Sequence, residues 1–531
     1  MEKRAIVAVV LSIAFLCGYY LLFPPPQKEI PKKTVQETKT SAPVTTSTIK
    51  VVNDRVSTQT LPMATAEGVK DVIVDTDLYR AEFSSQGGSI KSIVLKKYKE
   101  TNEVNGKQVA LINERDPALY ALQTASAAVQ LAPSTVFGVS ENGLTVKNGE
   151  IRNLEFSYMS PQGVTLKKTY IVHGGGYDIG LVNEIINGGK EKISGNLQMI
   201  FPYQVQDKTR QSRFEISGPV TCAEDKLNTD TVKSLESKSR NYAKPEWTGF
   251  ADKYFLSAVL AKDNDIDSVN FTKAPNNIIN STIYSPNFEI APGQAYTLSY
   301  KIFFGPKDLD ILKAQGDSLE KALNLGWFSA IAKPLLHVLV FFYKYTHNYG
   351  VAIIIITVIL KILFFPLTHK SYKSMKEMQK LQPMMLELRE KYKNDREALN
   401  RATMELYKTH KVNPLGGCFP MLVQIPVFFA LYRALMSSIE LRHAPFVLWI
   451  TDLSAKDPYY ITPIIMGATM FIQQKMTPST MDPAQAKMML AMPIVFTFMF
   501  LNFPSGLVIY WLVNNVLTIA QQAYINSKLK E

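Results

Sequence analysis

MMLAMPIVFTFMFLNFPSGLVIYWLVNNVLTIAQQAYINS, residues 488–527, runs for forty residues without one charged side chain. A helix rises about 1.5 Å per residue, so roughly 20 apolar residues cross a hydrocarbon layer about 30 Å thick. Forty residues therefore suit two crossings. Phe503-Pro504-Ser505-Gly506 supplies the turn between them, because proline lacks a backbone N–H and disfavours helix in the residue before it. Working back along the chain, Tyr459–Gln474, Gly417–Leu435 and Tyr349–Thr368 are further candidate spans, the last with Lys361 as its single charge. Pro334–Tyr343 is apolar for only ten residues before Lys344, which predicts a helix lying at the membrane interface. Ala5–Phe23 follows Lys3 and Arg4 and is nineteen residues long. It exceeds a usual signal-peptide core and ends in Pro24-Pro25-Pro26 without a small-x-small site, so it predicts a retained anchor. The total is six spans.

The other half of the chain has a different pattern. Gln27 to about Glu67 is rich in Lys, Thr, Ser, Pro and Val with few aromatics, and predicts a tether that cannot bury enough apolar surface to fold alone. From Val69 to Lys307, short alternating segments such as Tyr79–Ser84, Ser89–Leu95, Lys167–Val172 and Ala295–Phe304 are separated by Gly, Asn and Pro turn signals. Many short strands with little helical periodicity predict a large antiparallel sandwich. The expected divisions are an anchor at 1–23, a tether at 24–68, a sandwich at 69–325 and an interfacial helix at 326–348. A second span follows at 349–368, a helical hairpin at 369–413, and spans three to six with the tail at 414–531.

Composition narrows the function. The formal charge of +12 over 531 residues could serve nucleic acid, but the long apolar runs make the basic residues topology signals, with no sequence-specific nucleic-acid reader among them. His369–Asn413 carries eleven Lys or Arg against six Asp or Glu, whereas Ser437–Pro458 carries two against three. Basic short loops stay cytoplasmic, so with Lys3, Arg4, Lys528 and Lys530 inside, both termini are expected in the cytoplasm and the sandwich outside. Cys17 and Cys418 fall in or beside apolar runs, leaving only Cys222 in the polar region and no disulfide framework or cysteine zinc site. No phosphate loop or G-x-S-x-G is present, and the six histidines lack metal-ligand spacing. Ser505 has no histidine in the last three spans. No catalytic residue, metal or cofactor is expected.

Two features carry candidate chemistry. Met378, Leu381, Met385, Leu388 and Tyr392 follow the 3, 4, 3, 4 spacing of a coiled-coil seam, and Leu399, Ala402 and Leu406 form a second stripe. Asn394 and Glu397 between them have capping-box spacing, which predicts an antiparallel hairpin. Its methionines suit adaptable contact with apolar clients, the alternative being a solvated connector. Lys361 lies about seven residues, or roughly 10 Å, inside the cytoplasmic end of its span, with Thr357 one turn away. Its ammonium either snorkels to the interface or faces a wet cavity. Gln424, Gln473, Trp511, Asn514 and Asn515 are further polar candidates, with helix-to-helix glue as their plainer role.

Ile353-Ile354-Ile355-Ile356-Thr357, NPLGGCFPMLVQIPVFFALY (413–432), APFVLWITDLSAKDPYYI (444–461) and FPSGLVIYW (503–511) resemble the YidC-type membrane-protein insertases of Gram-negative bacteria. The resemblance covers most of the chain after Trp327. It implies a multi-domain membrane protein with an α-helical transmembrane core of six spans, five of them in the conserved core. It also implies a cytoplasmic helical hairpin and an all-β periplasmic β-supersandwich similar to sugar-mutarotase folds. A hydrophilic groove, open to cytoplasm and lipid but closed to the periplasm, is implied, with Lys361, Thr357, Gln424, Tyr510, Trp511 and Asn514 as the groove residues of this chain. The implied activity is insertion and folding of nascent membrane proteins in the inner membrane, alone or with the Sec translocon and the ribosome, without catalysis. Two departures stand out. Lys361 occupies the position where arginine is usual, and the seven residues after Tyr524 lack a long basic extension for ribosome contact. A small-solute transporter and a membrane-anchored sugar-binding protein are the alternatives, although no convincing internal repeat supports the first.

Overall fold

Alternation in Val164–His173 and Asp178–Asn187 buries every second residue, and the two strands pair antiparallel so that Lys168 lies opposite Asn183. The computed structural model describes residues 68–205, 217–275, 277–393, 395–410, 412, 419–477 and 483–528, so the expected anchor and nearly all of the tether lie outside the described residues. The two strands sit inside a nine-stranded sheet, with Ala295–Pro306 paired to Asp178–Asn187 and Phe255–Ala261 on its other edge. Two five-stranded sheets and a two-stranded ladder complete the β region. Among the described strands, pairing is antiparallel except where Asp71–Thr76 meets Gly143–Val146. Phe83, Phe156 and Tyr170 fill the interior, the first and last with ring centroids 4.7 Å apart.

The β region also contains helices that strand periodicity does not reveal. These are α1 (Val232–Ser237) and α2 (Leu309–Gln315). Asp308 starts α2 by accepting hydrogen bonds from the Asp310 and Ile311 backbone N–H groups.

The described residues after Gly326 are mostly helical, apart from the connection at 438–460. The next helix, α3 (Ser329–Thr346), extends the ten-residue apolar run at both ends. Gly326–Thr346 consequently has the length and apolarity to cross a membrane, as does Tyr349–Lys380, and length alone does not set α3 at the interface. Helix α4 (Tyr349–Lys380) is 32 residues long and runs through Pro366 past Thr368, the expected end of the span, into the expected hairpin segment, since no glycine or capping residue ends it there. The chain then breaks at Leu381, and Pro383 opens α5 (Gln382–Lys391). The expected seam is therefore split between two helices.

Helix α6 (Arg396–Thr409) packs back on α5. Its cap is Asp395, whose carboxylate accepts from Glu397 and Ala398 N–H groups, one residue beyond the expected Asn394, itself outside the described residues. Then come α7 (Phe419–Ser437), α8 (Ile461–Met476), α9 (Pro483–Phe500) and α10 (Ser505–Lys528). The break before α10 falls at the expected Phe503-Pro504.

Helix α10 packs on α8 and α4, and α3 packs on α4 and α7. A Cβ on Gly350 would come within 2.0 Å of the Phe446 ring, so glycine permits that close approach. Asp457 is buried and accepts hydrogen bonds from Trp449 Nε1, Tyr459 N, Thr462 N and Thr462 Oγ1, organising the entry to α8. Arg442, in the same connection, reaches the β region: it donates to the Glu100 carbonyl at 3.3 Å and lies over the Tyr254 and Phe255 rings.

Candidate functional site

The inward face of α4 is set by helical spacing. Ile353, Ile356 and Thr357 are buried, whereas Ile359, Ile362 and Leu363 are 43, 68 and 66% exposed. Large aliphatic residues facing outward and polar residues facing inward invert the soluble pattern and suit lipid surroundings. Exposed Ile425, Phe429, Ile464, Ile472, Ile494, Val495 and Phe498 extend the apolar surface over α7, α8 and α9.

Lys361 turns inward. Its Nζ donates to Thr518 Oγ1 at 2.7 Å, and that hydroxyl in turn donates to the Asn514 carbonyl at 2.6 Å. Gln424 Nε2 donates to Asn514 Oδ1 at 3.3 Å, joining α7 to α10. Thr357 donates to the Ile353 carbonyl of its own helix. Thr357, Lys361, Gln424, Tyr510 and Asn514 line one cavity, with Leu360, Phe364 and Val427 between them. Its free space is about 20 Å³, room for roughly one water. Among the described residues the expected groove positions form a closed polar seam around this small cavity, not an open groove.

Three candidates lie elsewhere. Trp511 is about 100° around α10 from Tyr510 and joins an aromatic cluster, 4.8 Å from Phe428 and 5.1 Å from Phe500. Asn515 donates to Thr469 on α8, while Gln473 contributes its backbone carbonyl to Thr477. In the hairpin, Leu381 is buried and Met378, Met385 and Leu388 are half-buried; the outward apolar residues are Met384, Leu386 and Met404. None of the hairpin residues lines the cavity.

Other polar residues complete the seam. Gln521 donates to Thr368 Oγ1, and Gln522 donates to Tyr372 Oη at 2.6 Å and to Thr477 Oγ1 at 3.0 Å. Asn514, Thr518, Gln521 and Gln522 fall at i, i+4, i+7 and i+8, a polar stripe readable in the apolar run that the sequence reading passed over in part. The seam offers donors, acceptors and one cation. Among the described residues, no group of three or more His, Cys, Asp or Glu could hold a metal.

A family profile described as 60Kd inner membrane protein matches residues 341–531, and one described as YidC periplasmic domain matches residues 71–338. The chain is 56% identical to a membrane protein insertase YidC of Geobacter metallireducens over 530 residues, covering 100% of this chain and 99% of the relative. It is 58% identical to the corresponding Geobacter sulfurreducens protein over 529 residues, with the same coverage. A solved structure of an active YidC insertase aligns over 86% of this chain and 93% of that one, at 17% identity and a TM-score of 0.37. The chain belongs to the YidC family of membrane protein insertases, non-enzymatic inner-membrane proteins with a periplasmic domain.

Proposed function

We propose that the seam between α4, α7 and α10 is where this insertase holds the polar part of a client while the client's apolar segment passes sideways into lipid. The observation that carries the reading is the Lys361–Thr518 hydrogen bond inside a polar cavity whose outer helix faces are aliphatic. An ionisable residue within a span is costly, on the order of 3 kcal/mol at a helix centre, and tends to mark function. Opening the seam would hydrate Lys361, Gln424 and Asn514 and thin the apolar barrier a short translocated segment must cross. Burial of the client's apolar surface, at about 25 cal/mol per Å², supplies the driving force without nucleotide hydrolysis.

The finer topology belongs to this proposal. Six spans, of which α4, α7, α8, α9 and α10 are five, put both termini and the α5–α6 hairpin in the cytoplasm, with α3 along the periplasmic interface. Loop charge supports that order. Nascent membrane proteins are the clients, delivered with or without the Sec translocon and the ribosome. Neither a transporter nor a sugar-binding role has a specific observation behind it. The test is photocrosslinking from Gln424 or Thr357 to a stalled nascent membrane protein, with Phe498 as the lipid-facing control. Crosslinks at the first two positions that are absent at the third are expected. Solute uptake without client crosslinks would reject the proposal.

A further inference from the structure

A second cavity, of about 500 Å³, lies where α2, α3 and the short turn Ile439–Leu441 meet, away from the polar seam. That volume is in the range of small-ligand sites. Its lining is sorted by chemistry. Asp308, Asp310 and Glu440 supply carboxylates, His337 and Lys344 stand on α3, and Leu336, Val338 and Phe341 form apolar wall.

Among the described residues the three carboxylates have no ion pair closer than 3.8 Å, although Lys313 Nζ stands 3.4 Å from His337 Nε2. Glu440 is half-buried and takes a hydrogen bond from Ser438; burial and the nearby Asp308 and Asp310 carboxylates push its carboxyl up from the ordinary range. Asp308 is engaged with backbone N–H groups of α2, and Asp310 meets His337 Nε2 only at 3.8 Å. A cation entering here would gain from all three carboxylates. The apolar side leads outward: Val338 and Phe341 line the cavity and are 37 and 51% exposed. Nearby on the chain, Trp327 and Tyr345 are exposed aromatics of the kind that sit at headgroup level.

We infer that this cavity binds the headgroup of a phospholipid carrying a primary ammonium. The ammonium's three N–H donors meet the three carboxylates, the phosphate lies toward Lys344 and His337, and the acyl chains follow Val338 and Phe341 into the bilayer. A trimethylated headgroup of the same charge lacks N–H donors and fits less well. The site ties the sandwich's last helix to the helical region through lipid.

Native mass spectrometry of the full chain in detergent, titrated with dioleoyl phosphatidylethanolamine or dioleoyl phosphatidylcholine, reads the inference without measuring insertion, so it stands or falls apart from the seam. Ethanolamine lipid is expected to bind about tenfold more tightly than choline lipid, the scale of one charge-assisted interaction. Asp310→Asn combined with Glu440→Gln should abolish the preference. Lys344→Gln should weaken binding of both lipids. Asp310→Asn and Lys344→Gln alter exposed side chains and keep the test open if Glu440→Gln fails to fold. Equal binding of the two lipids, or an unchanged preference in Asp310→Asn, overturns the inference. Free ethanolamine competing as well as the lipid would make this a soluble-cation site, and crosslinking of a benzophenone at Val338 to a client instead of lipid would make it a peptide site. Either result overturns the inference.

Discussion

Lys168 in the sandwich and Lys361 in the helical region are both taken out of bulk water, but their surroundings differ. Lys168 is fully buried, donates to the Leu122 carbonyl at 2.6 Å and Thr124 Oγ1 at 2.8 Å, and has its Nζ 5.3 Å from the Tyr170 ring centroid. Packing around it is tight: a Cβ on Gly88 would lie 3.2 Å from its Cδ. Lys361 makes one side-chain hydrogen bond among the described residues, to Thr518, and borders free space. The first lysine is a satisfied part of a closed core, and the second keeps donor capacity for something that enters. Under the proposed function, satisfaction and access, more than burial, distinguish a structural lysine from one that meets a client.

The comparison can be broken first in the helical region. Asp457→Ala removes a carboxylate that serves four donors, and a loss of about 3 kcal/mol is expected. Thermal unfolding in detergent should shift down while protease resistance of the sandwich is retained. Loss of both together would show the two regions to be one cooperative unit.

The next largest effect concerns Lys168 and pH. Burial lowers its pKa from the ordinary 10.5 to about 7. Between these values the unfolded chain is protonated and the folded chain is not, so the unfolded state binds more protons and stability rises with pH. Below about pH 7 both states are charged and the gain is absent. A gain of about 2 to 3 kcal/mol from pH 6 to 9 is expected for the sandwich, and Lys168→Met should flatten it. Limited proteolysis across pH measures this; a flat wild-type profile would show Lys168 to be charged in the fold.

A smaller effect is expected at the contact between the regions. Arg442→Ala loses the Glu100 hydrogen bond and two ring contacts, about 1 kcal/mol in a partly exposed setting. Hydrogen exchange should rise near Glu100 and Asn102 with insertion unchanged. Removing most of Val69 to Lys307 should likewise leave insertion largely intact, since the proposed client seam lies wholly in α4, α7 and α10. Complete loss of insertion in a stable deletion would move function into the sandwich.

Strands and late helices were legible because their periods are strong: Tyr79–Ser84 matches its strand end to end, and the break at Phe503-Pro504 separates α9 from α10. The split at Leu381 was harder, because a 3, 4 apolar pattern continues across Pro383 and periodicity does not register a one-residue break between helices. Lys361 was legible as a lone charge. Its partner Thr518 was not, since threonine is common as glue within spans and only packing decides which helix it serves. Trp511 is not among the cavity-lining residues although its neighbour Tyr510 is; both rings contact Phe428, and a step of about 100° around the helix separates them.

The central claim is that Lys361 supplies a positive charge to the seam through which clients pass. Its direct measurement is insertion of paired clients that differ only in the charge of the translocated segment, by wild type, Lys361→Arg, Lys361→Ala and Lys361→Glu, with expression and folding of each verified. Arginine should retain insertion. Alanine should slow the acidic client about tenfold and the neutral one less, and glutamate should slow the acidic client further. Wild-type insertion of both clients by the alanine and glutamate variants would contradict the claim and leave Lys361 as an anchor that snorkels to the interface.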